Sequence, residues 1–194
     1  MEKPLIIGLS GRHTPRCNAA AMALLIKTKP EIWGSYGFKA PVERMLAMIG
    51  VHRDGITPRD ETARLHGKTY SELETSLAED WGKKLIHPDL WLALADRALA
   101  YAAADKVNLV FPDVKTETEA QHLRARGGHI IHIEDDKPTS RRMGSPVKGA
   151  QDYRVTDTGT LEELQTKIMA CYWDIKTLTT PRQARQKPAL QVVH

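Results

Sequence analysis

Short apolar runs alternate along this chain with longer segments of helical period. Leu5–Leu9 (LIIGL) is the first run, with the length and composition of a strand buried on both faces. A polar turn follows, Ser10-Gly11-Arg12-His13-Thr14-Pro15, and then Asn18–Lys27 (NAAAMALLIK), built of strong helix formers. Pro41–Ile49 (PVERMLAMI) sets a proline at a first helical position and stops at Gly50. Residues 51–67 mix charge with Gly55, Pro58 and Gly67 and read as a surface loop.

Three Ser/Thr-x-x-Glu patterns predict helix starts, because each pairs a side-chain acceptor with a carboxylate three residues on. Ser71 and Glu74 open a helix expected to reach Lys84, Thr116 and Glu119 one that stops at Gly127-Gly128, and Thr160 and Glu163 the last one. A further helix is expected over Asp89–Ala104, after the break at His87-Pro88. Val107–Phe111 (VNLVF) and His129–Ile133 (HIIHI) are strand runs, with His129 and His132 read as packing residues. Asp152–Val155 is a shorter strand candidate. Strands alternating with helices predict an α/β fold whose central parallel sheet is covered on both faces, with the Leu5–Leu9 strand in the middle.

Composition narrows the classes. The chain has 194 residues, 41% hydrophobic and 27% charged, which suits one globular domain. No run approaches the roughly 18 apolar residues of a membrane span, and the N-terminal run is too short for a secretory signal. The two cysteines, Cys17 and Cys171, make neither a CxxC pair nor a zinc-type cluster, so the expectation is a reducing cytoplasm and no structural metal. The net charge of +4 equals the charge of Lys176, Arg182, Arg185 and Lys187, beyond which no acid occurs. Residues 1–175 are therefore expected to form the domain and 176–194 a basic tail. A neutral body gives little ground for nucleic-acid binding and none for a membrane.

Several segments together resemble the phage-type deoxynucleoside monophosphate kinases. They are IIGLSGR at the start, GFKAPVERMLA near residue 40, LAEDWGKKLIHPDLW at 77–91, NLVFPDVKTETEAQHLRARGGHIIHI at 108–133 and DYRVTDTGTLEEL at 152–164. The segment carrying Trp81, His87, Pro88, Asp89 and Trp91 is the most specific. The resemblance implies a three-layer P-loop nucleotide-kinase fold with ATP and magnesium on one side and a deoxynucleotide on the other. Such a protein belongs in the cytoplasm of an infected bacterial host. Its chemistry is positioning and charge neutralisation: backbone N–H groups cradle the phosphates, a lysine reaches the outer ones, and a hydroxyl holds magnesium.

The loop after the first strand departs from that pattern. Gly11 stands at the first glycine position, but Arg16 stands at the second, Cys17 at the lysine, and Asn18 and Ala19 follow where the polar pair belongs. Ala40 replaces an acid, Thr75 a base-reading glutamine, and Lys83 and Lys115 replace arginines. Lysine keeps the charge of arginine but not its planar fork. Framework residues survive while the chemical ones change.

Candidate site residues follow from the resemblance. Arg12 and Arg16 flank the gap and can bind phosphate oxygens, and Asp113 ends a strand at the nucleotide crevice, either as a magnesium or water contact or as a turn residue. Gly11, Asn18, Lys83 and Lys115 complete the nucleotide side, with Asn18 read either as a helix cap or as part of an anion site. Arg141 and Arg142 are either lid arginines or part of a solvated loop. The expectation is a kinase-like protein of phage origin with a degenerate Walker A loop, catalytically impaired, that binds a nucleotide or a protein partner. The alternative is an atypical active kinase in which Arg12 and Arg16 replace the lysine.

Overall fold

The computed structural model describes residues 3–52, 67–135 and 146–179. Arg141, Arg142, the glycine and proline of the 51–67 loop at positions 55 and 58, and the basic residues 182, 185 and 187 lie outside them.

Five parallel strands form one sheet: β1 (Ile6–Gly11), β2 (Trp33–Ser35), β3 (Asn108–Phe111), β4 (His129–Asp135) and β5 (Tyr153–Asp157), in the order β2-β3-β1-β4-β5. β1 is central, as its two-sided apolar run predicts. It pairs with β3 through Ile6–Leu109 to Gly8–Phe111, and with β4 through Ile7–His129 to Gly11–Ile133. The β2 strand, Trp-Gly-Ser, carries no apolar run and was not expected from sequence. It forms at the sheet edge because β3 offers it a partner from Asn108 to Val110.

Helices cover both faces. α1 (Thr14–Lys27) and α6 (Leu161–Thr179) lie on one, with Ile7, Leu9, Ala20, Leu24, Ile131, Leu164, Ile168 and Tyr172 in a common core. On the other, α4 (Leu90–Ala104) and α5 (Glu117–Arg124) pack Ala95, Ala120 and Leu123 against Ile6, Phe111 and Ile130. The three layers are those expected. α6 runs on through Thr179, past the expected start of the tail at 176, because Ile175 is buried and Lys176 and Tyr172 both bond to Glu31.

A third apolar cluster belongs to a helical lobe beside the sheet. α2 (Ala40–Met48), α3 (Tyr70–Thr75) and the start of α4 enclose Val42, Leu46, Val51, Tyr70 and Trp91. The capping box opening α3 is Thr69 with Glu72, not Ser71 with Glu74; Glu74 is buried and bonded to Lys39 instead. α3 continues into a π-helical stretch, Ser76–Ile86. There the Trp91 indole lies directly over Gly82, and its N–H donates to the Ala78 carbonyl at 2.9 Å.

Candidate functional site

The crevice of a parallel α/β sheet opens at the carboxyl ends of its strands. Here that edge brings together Gly11, Arg12 and His13 after β1, Asp113 and Lys115 after β3, Asp135 in β4 and Asp157 in β5. Val114 N–H donates to the Leu9 carbonyl at 3.1 Å, so the segment after β3 runs directly beside β1.

The connection from β1 to α1 is two residues long. β1 extends through Gly11 and α1 begins at Thr14, four residues before Asn18, with Pro15 in its opening turn. His13 precedes the helix as its cap residue, without a side-chain capping bond, and Asn18 lies exposed in the second turn rather than capping. Pro15 has no N–H, and those of Arg16 and Cys17 bond to the His13 carbonyl at 3.0 and 3.1 Å. Of the first four helical positions, then, only Thr14 among the described residues keeps an N–H for a ligand.

Cys17, at the lysine position, is fully buried. Burial pushes its thiol up to about 11, with the Lys115 ammonium acting in the opposite sense. Its Sγ packs on Gly11, where an added β-carbon would meet it at 2.8 Å. Gly11 is thus held by packing against Cys17.

Arg16 is already engaged at this edge. Its guanidinium bonds to the buried Asp157 carboxylate and to the Gly159 carbonyl at 3.0 Å, tying the first turn of α1 to the β5–α6 junction. The Asp157 hydrogen bond raises its pKa. Sequence gave no sign of this pair, whose members stand 141 residues apart. Arg12 is exposed, and among the described residues it makes no hydrogen bond or ion pair.

Asp113 is buried, and both of its oxygens are engaged. The Phe38 and Lys39 amides donate to them at 3.0 and 3.1 Å, fastening the β2–α2 loop to the end of β3. Burial holds the carboxyl above its ordinary value, opposed by the two amides. Lys115 reaches back to donate to the Gly11 carbonyl at 2.5 Å, which places an ammonium at the end of β1. Lys83 pairs with Glu79 on its own helix at 2.8 Å, in the lobe rather than at the strand ends. The sheet edge therefore gathers Gly11, Arg12, Arg16, Asp113 and Lys115, while Asn18 and Lys83 point elsewhere.

These groups do not fit a magnesium–triphosphate. The positions that the resemblance gives to the hydroxyl and the lysine hold Ala19 and a buried thiol, and no group of three or more His, Cys, Asp or Glu among the described residues is placed to hold a metal. Nor is any described helix long and apolar enough to cross a membrane.

A separate polar network was also missed from sequence. Asp152 accepts from Arg124, from Gly149 N–H at 2.6 Å and faces His132 Nε2 at 3.0 Å, while Glu117 binds Arg124 and Val147 N–H. It pins the end of the β4–β5 crossover onto α5.

No protein-family model matches the sequence, and no curated protein matches it. Solved structures do. A dephospho-CoA kinase from Campylobacter jejuni superposes with a TM-score of 0.50 at 9% identity, over 90% of this chain and 98% of its own. A gluconokinase from Sinorhizobium meliloti reaches 0.45 at 11% identity, over 92% and 97%. The likeness to the first, together with the five-stranded parallel sheet and its two helical layers, is one of architecture: the chain has the α/β fold of the P-loop kinases.

Proposed function

We propose that this chain binds a deoxynucleoside monophosphate and does not transfer phosphate to it. The reading rests on one observation, the two-residue connection between β1 and α1 with Cys17 buried behind it. Phosphoryl transfer by this fold needs a run of inward N–H groups, a mobile lysine and a hydroxyl for magnesium. Here one helix-start N–H is free among the described residues, and the positions that the resemblance gives to the lysine and the hydroxyl hold a buried thiol and Ala19. Arg12 and Lys115 supply positive charge at the end of β1, enough to favour one phosphate group. The preference for a deoxynucleoside monophosphate, and descent from a phage enzyme, are supported by the landmark segments from residue 77 to 91 and from 108 to 133.

The test is calorimetric titration of the four common dNMPs and of ATP with magnesium, beside a coupled kinase assay. At least one dNMP should bind, ATP should not, and dNMP-dependent ATP turnover should stay at background. Magnesium-dependent ATP binding with turnover that Arg12→Ala or Arg16→Ala abolishes would establish the arginine-substituted kinase instead.

A further inference from the structure

α1 and α6 lie side by side and parallel on the outside of the molecule. Gln165 donates to the Ala19 carbonyl in their N-terminal halves, and Tyr172 and Lys176 bond to Glu31 beyond the end of α1. Their outer surface presents Asn18, Met22 and Ile26 from α1, and Thr166, Ala170 and Trp173 from α6. Spacings of four on one helix, and of four and three on the other, align each set along one side. None of the six ionises. Met22, Ile26 and Trp173 remain 48%, 57% and 53% exposed. The outward side of a surface helix ordinarily carries charge, and contiguous apolar exposure of this kind marks a contact surface.

Trp173 is already held in place. Its ring meets Tyr172 edge-on at 4.8 Å between centroids, and the Lys176 ammonium lies 5.7 Å from its centre. Little side-chain freedom is left to lose when its open face is covered.

The charges around this strip point to the occupant. On the α1 side the exposed charges at its C-terminal end, among the described residues, are basic, Lys27 and Lys29. On the α6 side the outward charges are acidic, Glu162 at the N-terminal end and Asp174 toward the other. Of the α6 lysines, Lys167 turns away to the Thr156 carbonyl, while Lys176, bonded to Glu31, keeps its ammonium beside the Trp173 ring. A two-fold axis running parallel to the helices lays α1 of one copy on α6 of the other. It sets Lys29 toward Asp174, twice over.

We propose that the α1–α6 face is the interface of a symmetric homodimer, self-complementary in shape class and in charge. The partner is a second copy of this chain.

Sedimentation velocity of the full chain from about 1 to about 100 μM reads the association directly. The wild type should dimerise within that range. Ile26→Glu and, independently, Met22→Glu should leave it monomeric with an unchanged melting temperature, since both sites are half exposed. Asp174→Lys should weaken the dimer by roughly tenfold or more, and adding Lys29→Asp to it should recover most of the loss. A wild type that stays monomeric at the highest concentration overturns the inference. So does a dimer that survives Ile26→Glu and Met22→Glu, or one whose charge reversals do not compensate.

Discussion

Cys17 Sγ stands 2.8 Å from the point where a β-carbon on Gly11 would lie. The two positions that the resemblance assigns to the start and the lysine of a phosphate-binding loop are packed on each other. Refitting the loop with Arg16→Gly, Cys17→Lys and Ala19→Thr should therefore unfold more than it restores. An ammonium at the fully buried position 17 has no partner, so Cys17→Lys alone is expected to cost more than about 3 kcal/mol in urea denaturation. Gly11→Ala, which drives a methyl into Cys17 and Ile133, should cost about 1–3 kcal/mol.

Arg16 offers a cleaner separation of structure from binding. Removing it leaves the buried Asp157 carboxylate without its guanidinium, so Arg16→Ala should lower the urea midpoint of unfolding. Binding of a dNMP, measured by calorimetry well below the melting temperature, should change less than about twofold. A loss of affinity with stability intact would mean that Arg16 serves a ligand instead.

Asp113 carries a similar prediction at the next strand. Asp113→Ala leaves the buried amide of Phe38 and the half-buried one of Lys39 without their acceptor, at a cost of about 1–3 kcal/mol. Asp113→Asn keeps one acceptor and should cost roughly half as much. Hydrogen exchange at those two amides should rise with Ala and less with Asn.

Alkaline pH should weaken the fold through its thiols. Burial raises Cys17 and Cys171 to about 11 from an ordinary 9.0. The folded state holds these protons where the unfolded chain releases them, so the contribution is whole below pH 9 and is lost as pH rises toward 11. For Cys17 it amounts to at most about 3 kcal/mol. Chemical denaturation between pH 8 and 10.5 should show a falling midpoint, and Cys17→Ala should flatten the slope.

Much of the sheet could be read from sequence because buried parallel strands announce themselves as apolar runs, as LIIGL and HIIHI do. The Thr116–Glu119 and Thr160–Glu163 capping boxes were equally legible, since both partners lie within one helical turn. The Ser71–Glu74 pattern misled because Thr69–Glu72 satisfies the same rule two residues earlier, and only tertiary contact with Lys39 decides between them. The two-residue connection from β1 to α1 was not legible. Whether Asn18 or Thr14 opens α1 depends on Arg16 finding Asp157 and on Cys17 finding Gly11, and pairings of that kind leave no local pattern.

The indole of Trp91 occupies the space a side chain at position 82 would need, and it draws on the Ala78 carbonyl within the same turn. Neither residue can change alone: a larger residue at 82 evicts the ring, and a smaller one at 91 opens a hole against bare backbone. The two are bound to drift as a unit through descent. A glycine followed nine positions later by tryptophan is therefore a signature by which kin of this chain can be sought, independent of whatever has become of their phosphate loops.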